Sequence, residues 1–247
     1  MQIDILAFSA HPDDVELFAG GTLAKMADLG YSTGVIDMTR GEFGTRGTPA
    51  QRRREAYKAA AILGLKIREN LGLPDGNVQV TPEARLKVVR MLRKYRPLVV
   101  LTHYWDDRHP DHINTSRLVA EAAHHSGLGK LKTGQARHRP QIVLYFKLPV
   151  NLTPKFVVDI SDYMEQRSAA IAAYASQLFD PSSREPSTRL SHPDFVTHIE
   201  NIHSFYGTLI RKKKGEAFHV KEVMEIHDLV EQFAKVRRDP KRKHSAH

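Results

Sequence analysis

Apolar and polar positions along the chain fall into short β-rich runs separated by longer stretches with helical spacing. Residues 3–9 (IDILAFS) read as a buried strand, 16–30 (ELFAGGTLAKMADLG) as a helix ending at Gly30, and 32–39 (STGVIDMT) as the next strand. Two helices share a start signal: Thr48 and Thr81 stand as N-caps, with Pro49 and Pro82 at the first helical position. The first is predicted to run to Gly64 and the second to Arg96, ahead of Pro97. The near-continuous apolar run at 98–103 (LVVLTH) has the pattern of a strand covered on both faces. Further strands are predicted at 141–147 and 156–160, and further helices near 161–176, 193–210 and 221–235.

Alternation of this kind predicts an α/β fold with a doubly wound, mostly parallel sheet and helices on both faces. In such a sheet the ligand crevice lies beyond the carboxyl ends of the strands where the winding reverses, commonly between the first and fourth. The first strand ends in AHPDD (10–14), and the strand at 98–103, placed fourth, runs into THYWDDRHPDH (102–112). These two loops are therefore predicted to face each other. A dinucleotide site is disfavoured, because His-Pro-Asp-Asp occupies the turn where G-x-G-x-x-G is needed and Gly20-Gly21 come too late.

Composition narrows the chemistry. The 247 residues are 41% hydrophobic, and no apolar stretch approaches the roughly 18 residues of a membrane span. One domain over 1–235 is expected. The chain enters its first strand without a secretory pattern, which predicts a cytoplasmic protein. With no cysteine, a metal has to be held by histidine and carboxylate. The net charge of +9 is uneven: residues 208–247 hold eleven Lys or Arg against six Asp or Glu, a net of +5. Residues 236–247 read as a basic, solvated and disordered tail without interleaved aromatics, so a basic nucleic-acid-binding protein, the non-enzyme alternative, leaves both His-Asp loops unexplained.

Taken alone, Asp13 or Asp14 could cap the helix that follows, and Asp111 the helix beyond it. Two strand ends carrying His-Pro-Asp point instead to a shared metal. A catalytic zinc site uses three protein ligands and leaves a position for water. His11, one carboxylate of Asp13 and Asp14, and one imidazole of His109 and His112 supply that set. The remaining carboxylate and imidazole then stand beside the water, suited to proton transfer and to stabilising developing charge. Fe2+ could occupy the same triad for oxygen chemistry, but the adjacent second carboxylate suits a water nucleophile better.

Together AHPDDVE (10–16), GGTLAKMADLGY, Arg52 with Glu55-Ala56, LPDG (73–76), RHPDH (108–112), YASQLF, EPSTRLS and GEAF resemble the LmbE/PIG-L-type metal-dependent N-deacetylases over most of the chain. The resemblance implies a Rossmann-like fold and removal of acetyl from an N-acetylglucosamine conjugate. The late segments resemble the subgroup that acts on N-acetylglucosaminyl L-malate in bacillithiol biosynthesis; a chitooligosaccharide is the alternative substrate. It further implies His11, Asp14 and His112 as zinc ligands, Asp13 as general base, a protonated His109 at the oxyanion, a pocket lined by Arg52, Asp75 and Arg139, and a homo-oligomer, by family a hexamer. No nucleic-acid or membrane partner is expected.

Nearby residues carry separate expectations. Asp107 is placed to orient the His109 imidazole. Tyr104 and Trp105 read as wall residues, and His124 and His125 as helix surface. Arg40, Arg46, Arg52, Arg108 and Arg139 outnumber the nearby carboxylates, which predicts room for an anionic ligand, unless Arg52 pairs with Glu55 on its own helix.

Overall fold

Strand order in the sheet is β3-β2-β1-β4-β5-β7-β6, formed by β1 (Ile5–Ser9), β2 (Thr33–Asp37), β3 (Ile67–Asn70), β4 (Val99–His103), β5 (Ile142–Phe146), β6 (Phe156–Asp159) and β7 (Gly215–Val220). The computed structural model describes residues 1–228 and 230. β1 to β5 run parallel, and β7 and β6 close one edge antiparallel. β1 pairs with β2 on one side and with β4 on the other, so the winding reverses between β1 and β4 as predicted.

Helices cover both faces: α1 (Asp14–Phe18), α2 (Gly20–Asp28), α3 (Pro49–Ile62), α4 (Pro82–Tyr95), α5 (Pro110–Ser126), α6 (Met164–Ala172) and α7 (Phe195–Leu209). On one face Phe8 and Ile36 pack with Val89, Leu92 and Val119 of α4 and α5; on the other Ala7, Val35 and Leu101 pack with Val15 and Leu23 of α1 and α2. Burial on both faces explains why β1, β2 and β4 read as continuous apolar runs rather than alternating ones. The predicted caps form: Gln51 N–H donates to Thr48 Oγ1 and Ala84 N–H to Thr81 Oγ1, each at 3.2 Å, a contribution of about 1 kcal/mol apiece.

Several elements differ from the sequence reading. The helix expected over 16–30 is two, broken at Ala19. Gly21 then sits where a Cβ would lie 2.9 Å from Ile160 Cδ1, and Gly21 and Thr22 donate their N–H groups to the buried Glu216 carboxylate at 2.9 and 2.7 Å. An acidic side chain from β7 thus caps α2 at its positive end. β3 was not predicted, because IREN looks polar. Its Arg68 is buried, bonding both Asp37 oxygens (Nε–Oδ2 2.9 Å, Nη2–Oδ1 2.8 Å) and pairing with Glu16. β7 was also missed, and the helix expected over 161–176 is a 3-10 turn at Ser161–Tyr163 followed by α6. Residues 221–228 are not helical; residues 229 and 231–235 of the helix expected there and the tail at 236–247 lie outside the described residues.

Candidate metal centre

The site begins where β1 and β4 end side by side. Ala10 N–H donates to His103 Nε2 at 3.0 Å, tying the last residue of β4 to the end of β1. Pro12 then turns the chain and Asp13 takes φ +112°, a left-handed conformation that strains a non-glycine residue. That twist separates two successive carboxylates. Asp13 turns to Arg52 (Oδ2–Nη2 2.9 Å), while Asp14 Oδ2 accepts the His11 N–H at 2.9 Å and faces the imidazoles. Across the crevice, Pro110 opens α5 with His109 as N-cap, its Nδ1 accepting the Asp111 N–H at 3.2 Å, which puts His112 in the first turn.

His11 Nδ1 and His112 Nε2 each lie 3.3 Å from an oxygen of Asp14. One donor atom from each of His11, Asp14 and His112 falls within 4.8 Å of the others, so the expected triad is assembled. His11, His109 and Asp111 satisfy the same distance, but the Asp111 oxygens already accept the N–H groups of Val78 (3.0 Å) and Gly76 (2.8 Å). The outer nitrogens of the first set are held too: His11 Nε2 lies 3.0 Å from Asp75 Oδ1, and His112 Nδ1 lies 3.1 Å from Asp107 Oδ2. Carboxylates placed this way fix the ring orientation of ligating histidines. Nitrogen and oxygen donors, an excess of carboxylate and a braced outer ring fit a divalent cation.

Electrostatics separate the two aspartates. Burial alone would raise Asp14, yet His112 and His103 hold it well below the usual carboxylate range. Burial pushes Asp13 up to about 7 in spite of Arg52. One carboxylate is therefore a committed anion and its neighbour is poised near neutrality. His11 is raised well above its usual value: burial opposes the charge, but hydrogen bonds to Asp111, Asp14 and Asp75 prevail.

A cleft of about 670 Å³ opens over these groups. His11, Asp13, Asp14, Arg52, Asp75, His109 and His112 all line it. Arg52 is buried and bonds Asp13 and the carbonyls of Pro12 and Gly41; Glu55 is taken by Ser176, so the alternative pairing along α3 does not form. Arg139 is not brought to the site. It stands beyond the far end of α5, donating to the His124 carbonyl at 3.0 Å, because it precedes β5 and so lies at the amino ends of the parallel strands, opposite the crevice. Arg46 is buried against Glu185, away from the cleft. Asp107 accepts the His109 backbone N–H (2.9 Å) but orients the ring of His112, not that of His109. His109 is also not set up as a cation: burial, then His112 and His11, lower its pKa, and its Nδ1 lone pair is used at the helix N-terminus. Tyr104 and Trp105 pack with Tyr145 rather than walling the cleft, and His125 bonds the Glu121 carbonyl on the surface of α5.

Two residues escaped the sequence reading. His103 is fully buried and stacks on His112 (4.1 Å between centroids, 13° between planes), with burial holding it neutral at a pKa of about 3. Its position as the last residue of a strand at the winding reversal was the available signal. Lys147 takes φ +58° just after β5 and brings Nζ within 2.6 Å of both Asp107 Oδ2 and His112 Nδ1; nothing in "FKLPV" marks it.

A switch-point cleft with two histidines and a carboxylate around one position, and a second carboxylate beside it, is one that could hold a divalent cation next to a water nucleophile in an α/β enzyme. The family model for PIG-L, GlcNAc-PI de-N-acetylase, matches residues 6–123, which include both loops. Diacetylchitobiose deacetylase of Thermococcus kodakarensis is 31% identical over 188 residues, 70% of this chain and 69% of that protein. A 1D-myo-inositol 2-acetamido-2-deoxy-alpha-D-glucopyranoside deacetylase of Mycobacterium is 28% identical, covering 70% of this chain and 74% of its own. The crystal structure of the conserved protein TT1542 from Thermus thermophilus superposes with a TM-score of 0.82 at 37% identity, over 92% of this chain and 98% of that one. The chain belongs to the PIG-L family of N-deacetylases.

Proposed function

We propose that this protein hydrolyses the acetamide of an N-acetylglucosamine conjugate at the His11–Asp14–His112 site, with N-acetylglucosaminyl L-malate as substrate. The observation that carries the reaction is the divergence of two adjacent carboxylates, one low in pKa among the imidazoles and the other raised to about 7. His11, Asp14 and His112 would hold a divalent metal, zinc in this reading, which when bound supplies Lewis acidity and a water acidic enough to act near neutrality. Asp13 takes the proton of the attacking water and passes it to the sugar nitrogen as the C–N bond breaks; a base with a pKa near the working pH serves both directions. Arg52 holds Asp13 in place and keeps its carboxylate form accessible. Neutral His109 keeps Nε2–H free to donate to the carbonyl oxygen as negative charge grows there.

Malate is supported by two guanidinium groups at the cleft, Arg108 and Arg189, neither of which has an acidic partner among the described residues. Arginine can grip a carboxylate through two parallel hydrogen bonds. Arg52, already committed to Asp13, is not needed for this. Amine release from N-acetylglucosaminyl malate, diacetylchitobiose and an N-acetylglucosaminyl inositol, each with and without a chelator, tests the reading. Chelator-sensitive turnover that favours malate, and loses that preference in Arg108→Ala or Arg189→Ala, is the expected result. Equal or better turnover of the neutral sugars points to the chitooligosaccharide alternative.

A further inference from the structure

Phe43 stands 79% exposed at the mouth of the cleft, on a loop between β2 and α3 that is otherwise tied down. Arg52 Nη1 donates to the Gly41 carbonyl at 3.4 Å, the Gly44 N–H donates to that same carbonyl at 3.0 Å, and the buried Arg46 offers its carbonyl to Gln177 Nε2 at 2.7 Å. The tip is fixed as well. Phe43 donates its own N–H to Asp75 Oδ2 at 2.7 Å, and its ring lies over Gly76, where a Cβ would come within 3.0 Å of Cδ2. Asp75 Oδ1 in turn lies 3.0 Å from His11 Nε2. One carboxylate therefore positions both a proposed metal ligand and the backbone of Phe43, so the ring keeps a set place relative to the site while its surface stays open to water. An apolar ring held ready in this way suits a ligand that brings an apolar face of its own.

We infer that Phe43 is a specificity-determining residue, the platform on which the pyranose ring of the substrate stacks while its acetamide lies over His11, Asp14 and His112. The inference rests on the amino-sugar reading above. A glucosamine chair carries its hydroxyls around the perimeter and axial C–H groups on its faces. The faces are the part that a phenyl ring attracts, through its negative π surface and the apolar area covered. Perimeter hydroxyls stay free for the polar groups beside the ring, the Thr45 side chain and the backbone of Gly44 among them. Stacking fixes the plane of the sugar and leaves the aglycone unread. Phe43 therefore selects for a pyranose, while Arg108 and Arg189 answer to the charge of what the pyranose carries.

The test compares Phe43→Ala and Phe43→Trp with the parent on N-acetylglucosaminyl malate and on diacetylchitobiose. A sugar on one face covers about half of the ring, which corresponds to roughly a 4- to 12-fold effect on binding. Phe43→Ala should raise KM by about that factor on both substrates and leave kcat within about twofold, because a ring that touches only sugar carbons holds ground and transition states alike. Phe43→Trp should keep KM near the parent value and report contact directly. With the metal chelated, its indole emission should shift to the blue and saturate as N-acetylglucosaminyl malate is added, against no shift in the parent, whose single tryptophan, Trp105, packs with Tyr104 and Tyr145. Unchanged KM in Phe43→Ala, with normal turnover, overturns the inference and leaves the deacetylase reading intact. A KM rise that accompanies a changed subunit count on size exclusion, with no ligand-dependent shift in Phe43→Trp, also overturns it and assigns the ring to a contact between copies. No amine release from either conjugate by the parent, together with no emission shift, overturns both.

Discussion

Replacing Asp13 with asparagine should stabilise the metal-free protein at alkaline pH while removing most of its activity. Asp13 has a usual carboxyl value of 3.8 and is pushed to about 7 in the folded chain, first by burial, with Arg52 only partly compensating. A folded-state value above the unfolded one means the protonated form is the one the fold prefers. The stability it confers is complete below pH 3.8 and is lost as pH rises to 7. The total is roughly 4 kcal/mol at 1.36 kcal/mol per unit, of which about 2 to 3 kcal/mol falls between pH 5 and neutrality. Asparagine carries no such dependence and resembles the protonated acid in shape. The stability of Asp13→Asn relative to the parent should therefore rise by about 2 to 3 kcal/mol from pH 5 to pH 8, or roughly 4 to 12 °C in Tm for a chain of this size. Thermal unfolding of both proteins at the two pH values, with chelator present, reads this directly. Turnover of the metal-loaded variant should fall by about a hundred- to ten-thousand-fold, since an amide cannot accept the proton. A stability difference that does not change with pH, or that moves against the variant, would refute the poised-carboxyl account, and turnover within threefold of the parent would remove Asp13 as the base.

Other perturbations follow from the same geometry. His11→Ala, Asp14→Ala and His112→Ala should each strip the metal, measured by elemental analysis after dialysis. Asp75→Asn and Asp107→Asn should retain it but weaken affinity by about 10- to 100-fold in chelator competition, because each carboxylate fixes one ligand ring. Glu216→Ala leaves the N–H groups of Gly21 and Thr22 without their acceptor and the buried Arg167 without the carboxylate 3.7 Å from its Nε, and should cost about 3 to 5 kcal/mol in denaturant unfolding, whereas an effect below about 1 kcal/mol would mean that water replaces the carboxylate. Arg139→Ala should leave kcat/KM within about twofold, as expected for a surface position remote from the cleft.

The site was legible to the extent that it is local. His11, Asp13 and Asp14 share one turn, and His109 and His112 share another; the doubly wound pattern was enough to oppose them. What the sequence concealed is long-range pairing of polar residues. Arg68 reads as the reason IREN is not a strand, yet it is buried because Asp37 and Glu16 neutralise it from β2 and α1. Asp107 was matched to the nearest histidine in sequence, but the helical turn at Pro110 swings His112 toward its Oδ2. Arg139 failed for a related reason: position just before a parallel strand puts a residue at the amino end of the sheet, opposite the crevice, whatever its chemistry. Lys147 reaches the metal loops through a backbone conformation that its neighbours do not announce.

The carboxylate of Glu216 meets Gly21 across 195 residues of chain, and this has a consequence for the order in which the protein is made. At about 5 to 20 residues per second, a ribosome delivers β7 roughly ten to forty seconds after the loop at 11–14. During that interval the start of α2 lacks its acceptor, and a nascent chain can bring the β1 and β4 loops together but cannot lock the helix that carries the first of them onward. The last strand among the described residues finishes the support of the first functional loop, so a chain released before residue 216 would have all three proposed ligands but would lack this acceptor behind the loop that carries two of them, His11 and Asp14.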